Sequence, residues 1–468
     1  MPEKSAAIAE TSPSAKFSGR AAQVCIMPGC GGVFGINERI YICPKCGGPL
    51  EIECKPTDAS ATELRRRWDL RASSQEPSDR SGVWRYRELL PFDDSVKAVT
   101  LFEGNTPLYD APRSAQYAGL AALRLKHQGC NPTGSFKDTG MTAAVTQAVA
   151  LGTKTVVCAS TGNTAASLAA YAARAGVQAA ILLPRGQITA SKLAQSMDYG
   201  AVVFELDGNF DDCMRLIQEL GDDPSIYVAN SINPFRIEGQ KTVAIELMVQ
   251  CGWRVPDQLV VPGGNMGNSS ALGKGFEEML AAGLIDRLPK LNIIQAEGTA
   301  PLAKLFAGLD LKSSPDASRL PESALEAIAH PRTLATAIKI GAPVSWRKSL
   351  RAVLRSGGQI ISVSEQEIAD AKAMIGRDGV GCEPASATTV AGIKRLVAAG
   401  HIRRDENLVA VLTGHVLKDP DYVSQYHRGT LALDAGGETI KIAGNFANVP
   451  QRVAATKAAL LESLEKRR

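Results

Sequence analysis

The sequence sets a lysine where a helix least welcomes one. In Asn131-Pro132-Thr133-Gly134-Ser135-Phe136-Lys137-Asp138, Pro132 and Gly134 make a turn, Ser135 can cap the next helix, and Lys137 falls in its first turn. The partial positive charge of a helix N-terminus disfavours an ammonium there. In a dry site the same field lowers the amine's pKa and frees it as a nucleophile. A solvated lysine beside an ordinary cap is the plainer reading, and the octet alone does not separate the two.

Three further loops share one context, the end of a β-branched run and the start of a helix. Ser160-Thr161-Gly162-Asn163-Thr164 follows TVVCAS (155–160) and opens an Ala-rich helical stretch. Exposed amides at such a start make an anion site, and Asn163 can donate to an oxygen lying over the loop. Gly263-Gly264-Asn265-Met266-Gly267-Asn268 follows QLVVP (258–262). Its three glycines let backbone N–H groups converge on a phosphate without Cβ interference. The spacing is neither that of a dinucleotide fingerprint nor that of a Walker loop. Thr413-Gly414-His415 ends NLVAVLT (407–413), so Thr413 points into the crevice; His415, with no carboxylate or metal partner nearby in sequence, reads as structural. Each loop alone is also an ordinary turn or cap. Together they describe one site, an amine nucleophile surrounded by three polar strand ends.

The elements that must position this site alternate along the chain. TVVCAS, QAAILLP (178–184), AVVFEL (201–206), QLVVP, NIIQAE (292–297) and NLVAVLT read as strands, with helical stretches such as AASLAAYAARAG and FDDCMRLIQEL between them. Alternation at this spacing predicts an α/β fold of parallel sheets covered by helices on both faces. In such sheets ligands bind at the strand C-termini. With 468 residues the chain is long enough for two or three domains.

Composition narrows the function classes. The formal net charge is +4 and no basic block is interleaved with aromatics, which argues against nucleic acid. No apolar run approaches the ~18 residues of a membrane span. The N-terminal stretch lacks an apolar signal core and carries Glu3 and Glu10, so a soluble, cytoplasmic setting is expected. Of ten cysteines, Cys130, Cys158, Cys213, Cys251 and Cys382 are scattered in apolar surroundings, unlike a disulfide scaffold. The other five lie between Cys25 and Cys54. Cys25-x4-Cys30 and Cys43-Pro-Lys-Cys46-Gly-Gly have the form of a zinc ribbon, four thiolates around a structural zinc. The competing reading is a degenerate ribbon of reduced thiols, and Cys54 reads as a bystander.

These motifs, in this order, resemble those of the threonine synthases, fold-type II enzymes that use pyridoxal 5'-phosphate. The segments that carry the resemblance are EGNTPL (103–108), NPTGSFKDTGM (131–141), STGNTAASLAAYAARAG (160–176), NSINPFRIEGQKT (230–242), PGGNMGN (262–268), TAIKIGAPVSW (336–346), CEPASA (382–387) and LTGHVLKDP (412–420). SGVW (81–84) and the form of the glycine loop are similar to the plant-like branch. The resemblance implies a tryptophan synthase β-like, two-domain architecture: a large cofactor-binding domain at 82–139 and 241–435, and a small mobile domain at 140–240. A disordered tail at 1–21, a zinc-ribbon-like element at 22–55, a linker or extension at 56–81 and a C-terminal tail with a helix at 436–468 complete the expected layout.

It also implies roles. Lys137 forms a Schiff base with the cofactor and acts as the catalytic base. Asn163 meets the cofactor's phenolic oxygen, residues Gly263, Gly264, Asn265, Met266, Gly267 and Asn268 hold its phosphate, and Thr413 meets the ring nitrogen. Ser160, Thr161 and Thr164 contact the substrate; Asn230, Ser231 and Arg236 hold its phosphate. The implied reaction converts O-phospho-L-homoserine and water to L-threonine and phosphate. A related reaction on the same scaffold, such as cysteate synthase acting on phosphoserine and sulfite, is the alternative. A homodimer and an S-adenosylmethionine effector are implied by the resemblance alone.

Overall fold

The computed structural model describes residues 19–160, 162–185, 190–309 and 320–466, with the backbone alone described at 190–192, 210 and 211. Residues 1–18 of the expected disordered tail lie outside the described residues. The chain opens with a three-stranded antiparallel sheet of β1 (Ala21–Cys25), β2 (Val33–Gly35) and β3 (Leu50–Cys54), with β1 central. A helix at Ala61–Ala72, capped by Ser60, follows. Next come β4 (Leu108–Asp110) and β5 (Arg124–His127), an antiparallel pair at one edge of the large sheet. The following four strands, β6 (Thr155–Ala159), β7 (Gln178–Pro184), β8 (Val202–Leu206) and β9 (Ile226–Val228), form a separate parallel sheet in the order β8-β7-β6-β9. The chain then returns to the large sheet through β10 (Gln258–Pro262), β11 (Lys290–Ala296), β12 (Ile360–Val363) and β13 (Leu408–Leu412). The large sheet runs β12-β11-β10-β13-β5-β4, parallel except for β4. A late hairpin, β14 (Ala432–Asp434) and β15 (Thr439–Lys441), lies outside both sheets.

The apolar runs are continuous because the sheets are covered on both faces. All five residues of β10 and of β13 are buried. Alternate side chains enter different cores: Leu259, Val261, Val409 and Val411 pack on one side of the large sheet, and Val260, Ala410 and Leu412 on the other. β8 differs from its neighbours. It is an edge strand, and Val202 and Phe204 are exposed, which an apolar run does not disclose. The late helix Lys457–Glu465 has no buried residue.

Three helices that carry site residues cross at very short range. A Cβ on Gly239, in helix Pro234–Gln250, would lie 1.9 Å from the Thr139 carbonyl of helix Lys137–Ala150. A Cβ on Gly275, in helix Gly267–Ala281, would lie 2.5 Å from the Lys241 carbonyl. Only glycine permits these backbones to touch. The same crossing holds a buried ionic cluster in which Lys241 and Lys274 each pair with both Glu238 and Glu278, at 2.5 to 2.7 Å. Two cations facing two anions leave no uncompensated buried charge.

The N-terminal sheet is tied to both larger sheets. Lys348 donates to the Leu50 carbonyl and Arg351 pairs with Glu51, joining β3 to helix Trp346–Ser356. On its other side the Val228 N–H donates to the Tyr41 hydroxyl at 2.7 Å, and Tyr41 packs edge-on against Tyr227, reaching β9.

Candidate active site

Lys137 is the first residue of its helix, reached through a turn sewn to the end of β13. The Phe136 N–H donates to the Thr413 carbonyl at 2.9 Å, and the His415 N–H to the Gly134 carbonyl at 2.9 Å. Asp138 holds the turn from inside, accepting from the Thr133 N–H, the Thr133 hydroxyl and the Ser167 hydroxyl at 2.6 to 2.7 Å. Burial pushes that carboxyl up to about 6 against these bonds. Gly134 sits at φ +84°, where a side chain would be strained.

The Lys137 amine is enclosed, 3.7 Å from the centre of the Phe136 ring. Burial lowers its pKa from the ordinary 10.5 to about 7, the positive charge of Arg236 adds to the fall, and Glu383 opposes it. At pH 7 about half of this amine is unprotonated and able to react.

Around it the cavity is lined by Phe136, Ser231, Arg236, Gln240, the loop from Gly264 to Asn268, Ala337, Ile338, Glu383 and Thr413. Arg236 lies in the first turn of helix Pro234–Gln250, which Asn233 caps through the Phe235 N–H. Its Nη1 donates to the Ala229 carbonyl at 3.1 Å, while its Nε has no partner. Burial lowers the guanidinium to about 10, leaving it charged at neutral pH.

The glycine loop ends in Met266 at φ +64°, which opens helix Gly267–Ala281 with no side-chain cap. Backbone N–H groups at that helix start are left for an anion. The Asn268 side chain is buried with neither amide atom bonded, and the Gln240 Oε1 is likewise without a partner. A Cβ added at Gly267 would meet nothing closer than 3.8 Å, so the cradle is open at that point. Unbonded buried amides beside an open cradle, a low-pKa amine and free helix N–H groups fit the chemistry of a pyridoxal phosphate.

The other expected residues divide. Asn163 begins helix Asn163–Ala175 and donates to Glu383 at 2.9 Å, so it joins the site through that carboxylate. Gly263 does not line the cavity; its Cβ position is filled by Ile293 and Gln295 of β11, so its smallness serves strand packing. Asn265 lines the cavity, but its Oδ1 accepts from the Val344 N–H at 2.6 Å. The Asn230 amide is bonded on both sides to the Ala159 backbone at 3.1 Å, closing the end of β6. Ser160 accepts from the Gly162 N–H at 3.3 Å, and Thr164 lies half-buried in the next turn; neither lines the cavity. Thr161 lies outside the described residues.

Two lining residues were missed by motif reasoning. Gln240 lies one turn after Arg236 on the same helix face, a signal that i, i+4 spacing offers. Glu383 is the more consequential. It precedes Pro384 at the start of helix Pro384–Ala398, yet its side chain does not cap that helix. Instead one oxygen accepts from the Thr413 hydroxyl and the other from Asn163, both at 2.9 Å. Burial pushes its pKa up, and these two hydrogen bonds pull the other way. An acid at an N-cap position ordinarily reads as a cap, which hides any other role.

Comparison with known proteins agrees with this geometry. Residues 99–414 match the family described as "Pyridoxal-phosphate dependent enzyme". The solved structures of threonine deaminase isoform 2 from Solanum lycopersicum (TM-score 0.56, 19% identity, 77% of this chain and 86% of that one) and of a fungal L-serine ammonia-lyase from Rhizomucor miehei (0.58, 19%, 72% and 100%) share the fold. Family and fold are thus those of a fold-type II pyridoxal-phosphate-dependent enzyme. A threonine synthase of Methanocaldococcus jannaschii is 45% identical over 436 residues, 92% of this chain and 98% of that protein. The threonine synthase of Mycobacterium leprae is 46% identical over 338 residues, 72% and 88%. The chain belongs to the threonine synthase family, pyridoxal-phosphate-dependent lyases of amino-acid biosynthesis.

Proposed function

We propose that the chain converts O-phospho-L-homoserine and water to L-threonine and phosphate, with Lys137 as the proton-moving base. The observation that carries this is the presence of a low-pKa amine, an arginine with an unbonded Nε and an open glycine cradle in one cavity. Two anion positions, the cradle and the Arg236 end, suit a phosphorylated cofactor and a phosphorylated substrate together.

Lys137 would hold pyridoxal 5'-phosphate, with Asn163 at its phenolic oxygen, Thr413 at its ring nitrogen and the 264–268 loop at its phosphate. When bound, this cofactor supplies an electron-withdrawing ring that acidifies the substrate's Cα–H and, through it, Cβ–H. The Lys137 amine accepts the Cα proton and returns a proton at the end of the reaction. Arg236 and the helix start beside it take the negative charge of the departing γ-phosphate, whose C–O bond breaks with the electron pair going to oxygen. Thr413, whose hydroxyl hydrogen goes to Glu383, would present its oxygen to the ring nitrogen, and a neutral oxygen stabilises positive charge there less than a carboxylate would. Glu383, bonded to Thr413 and Asn163 at once, orients both. Phosphate release and threonine formation from O-phospho-L-homoserine by the cofactor-loaded enzyme, against Lys137→Ala with neither, is the test; near-normal turnover by that variant overturns the reading.

The four cysteines support a structural zinc in the same reading. The Sγ atoms of Cys25, Cys30, Cys43 and Cys46 lie within 4.8 Å of one another, with Cys25–Cys46 at 3.5 Å and Cys30–Cys43 at 3.6 Å. Zinc–sulfur bonds of about 2.3 Å in a tetrahedron place sulfurs about 3.8 Å apart. Among the described residues no helix is long and apolar enough to cross a membrane. Unpaired cysteines throughout favour a cytoplasmic, reducing setting. The domain boundaries at 140 and 240, homodimerisation and a response to S-adenosylmethionine rest on the family resemblance.

A further inference from the structure

Behind the active site, on the far side of the segment that carries Glu383, lies a second cavity of about 250 Å³. Helix Glu365–Arg377 forms one wall, and helix Pro420–Arg428 with the chain near Phe446 forms another. Its lining holds two cations, Lys372 and Arg377, together with the imidazole of His427, whose Nδ1 accepts from the Asn448 N–H, and no carboxylate. The Lys372 amine has no salt-bridge partner among the described residues, and its closest aromatic contact is the Tyr422 ring, 5.9 Å away. Burial lowers the pKa of this amine, which feels Cys382 and Asp419 only at a distance. Tyr422 is itself buried, with a hydroxyl that has no hydrogen-bond partner. The rest of the wall is mostly apolar or aromatic, including Val423, Phe446 and Tyr426, whose hydroxyl donates to Asp370, with Asn448 also lining it.

A half-buried cation without an anion, beside an unsatisfied hydroxyl, is an arrangement that a ligand would complete. Two cations and no lining carboxylate favour an anion over an ammonium. The aromatic wall selects an apolar body. At about 30 Å³ per water the cavity has room for about eight waters, the scale of a small organic acid.

We propose that this cavity binds a small monocarboxylate with an apolar or aromatic body and no amino group, a 2-oxo acid the size of phenylpyruvate. Its carboxylate pairs with the Lys372 amine, and its body lies among Tyr422, Tyr426 and Phe446. The cavity is coupled to the reaction through its inner wall. Gly381 and Cys382 immediately precede Glu383, and Val416 follows Thr413 by three residues. Cys382 pairs with His415 in a β-bridge, and the Gly381 carbonyl meets His127 Nε2 at 2.8 Å. The strand ends that present Glu383 and Thr413 to the cofactor site are thus also the floor of the second cavity. A ligand that orders this floor binds with a different affinity when the cofactor is present, and the coupling is reciprocal. The site stands on its own residues, independent of which phosphorylated substrate the enzyme uses.

Isothermal titration of the cofactor-loaded enzyme with phenylpyruvate, in the presence of saturating inorganic phosphate to occupy the Arg236 end, tests it. Saturable binding is expected, weakened about tenfold or more in Lys372→Met by loss of a charged hydrogen bond, and largely retained in Lys372→Arg. L-Phenylalanine, identical in body but bearing an ammonium, is expected to bind about tenfold more weakly or worse to enzyme whose lysine–cofactor bond has been reduced with borohydride, so that the amino group cannot exchange onto the cofactor, a comparison that needs no variant. Absence of saturable binding up to about 10 mM, equal binding of the oxo acid and the amino acid, or undiminished binding by a folded Lys372→Met enzyme overturns the proposal.

Discussion

Replacing Glu383 by glutamine isolates the charge that faces Lys137. Glutamine keeps one acceptor oxygen for the Asn163 amide, and its NH2 can donate to the Thr413 hydroxyl oxygen, whose hydrogen then turns to Ser386, so the shape is kept while the charge is removed. In the native site the lysine's pKa is about 7 rather than 10.5. At pH 8 a pKa of 7 leaves about nine-tenths of the amine free; a pKa of 10.5 leaves about 0.3%, a ratio of about 300. Glu383 works against this depression, so its removal lets the pKa fall further. The assay is the rate at which apoenzyme takes up pyridoxal phosphate, followed by the visible absorbance of the lysine-bound cofactor across pH 5–10 and normalised to a lysine peptide. The rate should rise with pH around a midpoint near 7 in the native protein and around a lower midpoint in Glu383→Gln. The direction follows because only the deprotonated amine attacks. A native midpoint near 10, or the same midpoint in both proteins, would refute the assignment of Lys137 as a buried amine governed by its neighbours.

Other consequences can be measured separately. Arg236→Gln should lower kcat/KM for the phosphorylated substrate about 10- to 100-fold, the worth of a charged hydrogen bond, while cofactor absorbance stays normal; a change within about twofold would remove Arg236 from the substrate's phosphate. Gly239→Ala should destabilise the protein by about 1–3 kcal/mol and impair activity, because its Cβ falls 1.9 Å from the Thr139 carbonyl; thermal unfolding and steady-state kinetics would show it, and an unchanged Tm would mean the helices can part freely. Elemental analysis should find one zinc per chain, lost in Cys43→Ser along with part of the thermal stability, since the ribbon anchors β3 to helix Trp346–Ser356 and Tyr41 to β9; metal-free native protein would leave the cysteines as reduced thiols. Free Lys137 in the apoenzyme carries a stability penalty. Its folded pKa lies below its unfolded one, so the unfolded chain binds more protons between about pH 7 and 10.5 and stability rises with pH across that window. Lys137→Met apoenzyme should therefore gain most over native apoenzyme below pH 7, as chemical denaturation at pH 6 and pH 10 would report.

The alternation of strands and helices, the lysine at its helix start and the loops at the strand ends were legible in the order of residues alone. Those are local matters, governed by periodicity, glycine placement and caps within a few residues. That order did not separate residues that carry chemistry from residues that hold the frame, because that depends on which way a side chain turns and what already satisfies it. Asn230 and Asn265 stand in the right motifs, yet the backbones of Ala159 and Val344 engage their amides. Gly263 is required by the side chains of β11 rather than by an anion. Glu383 looks like a helix cap and becomes a partner of Asn163 and Thr413 only when segments 220 and 30 residues away fold against it. The second cavity was invisible for the same reason: Lys372 and Tyr422 are fifty residues apart, and a missing anion is a property of a packed interior, not of a string of residues.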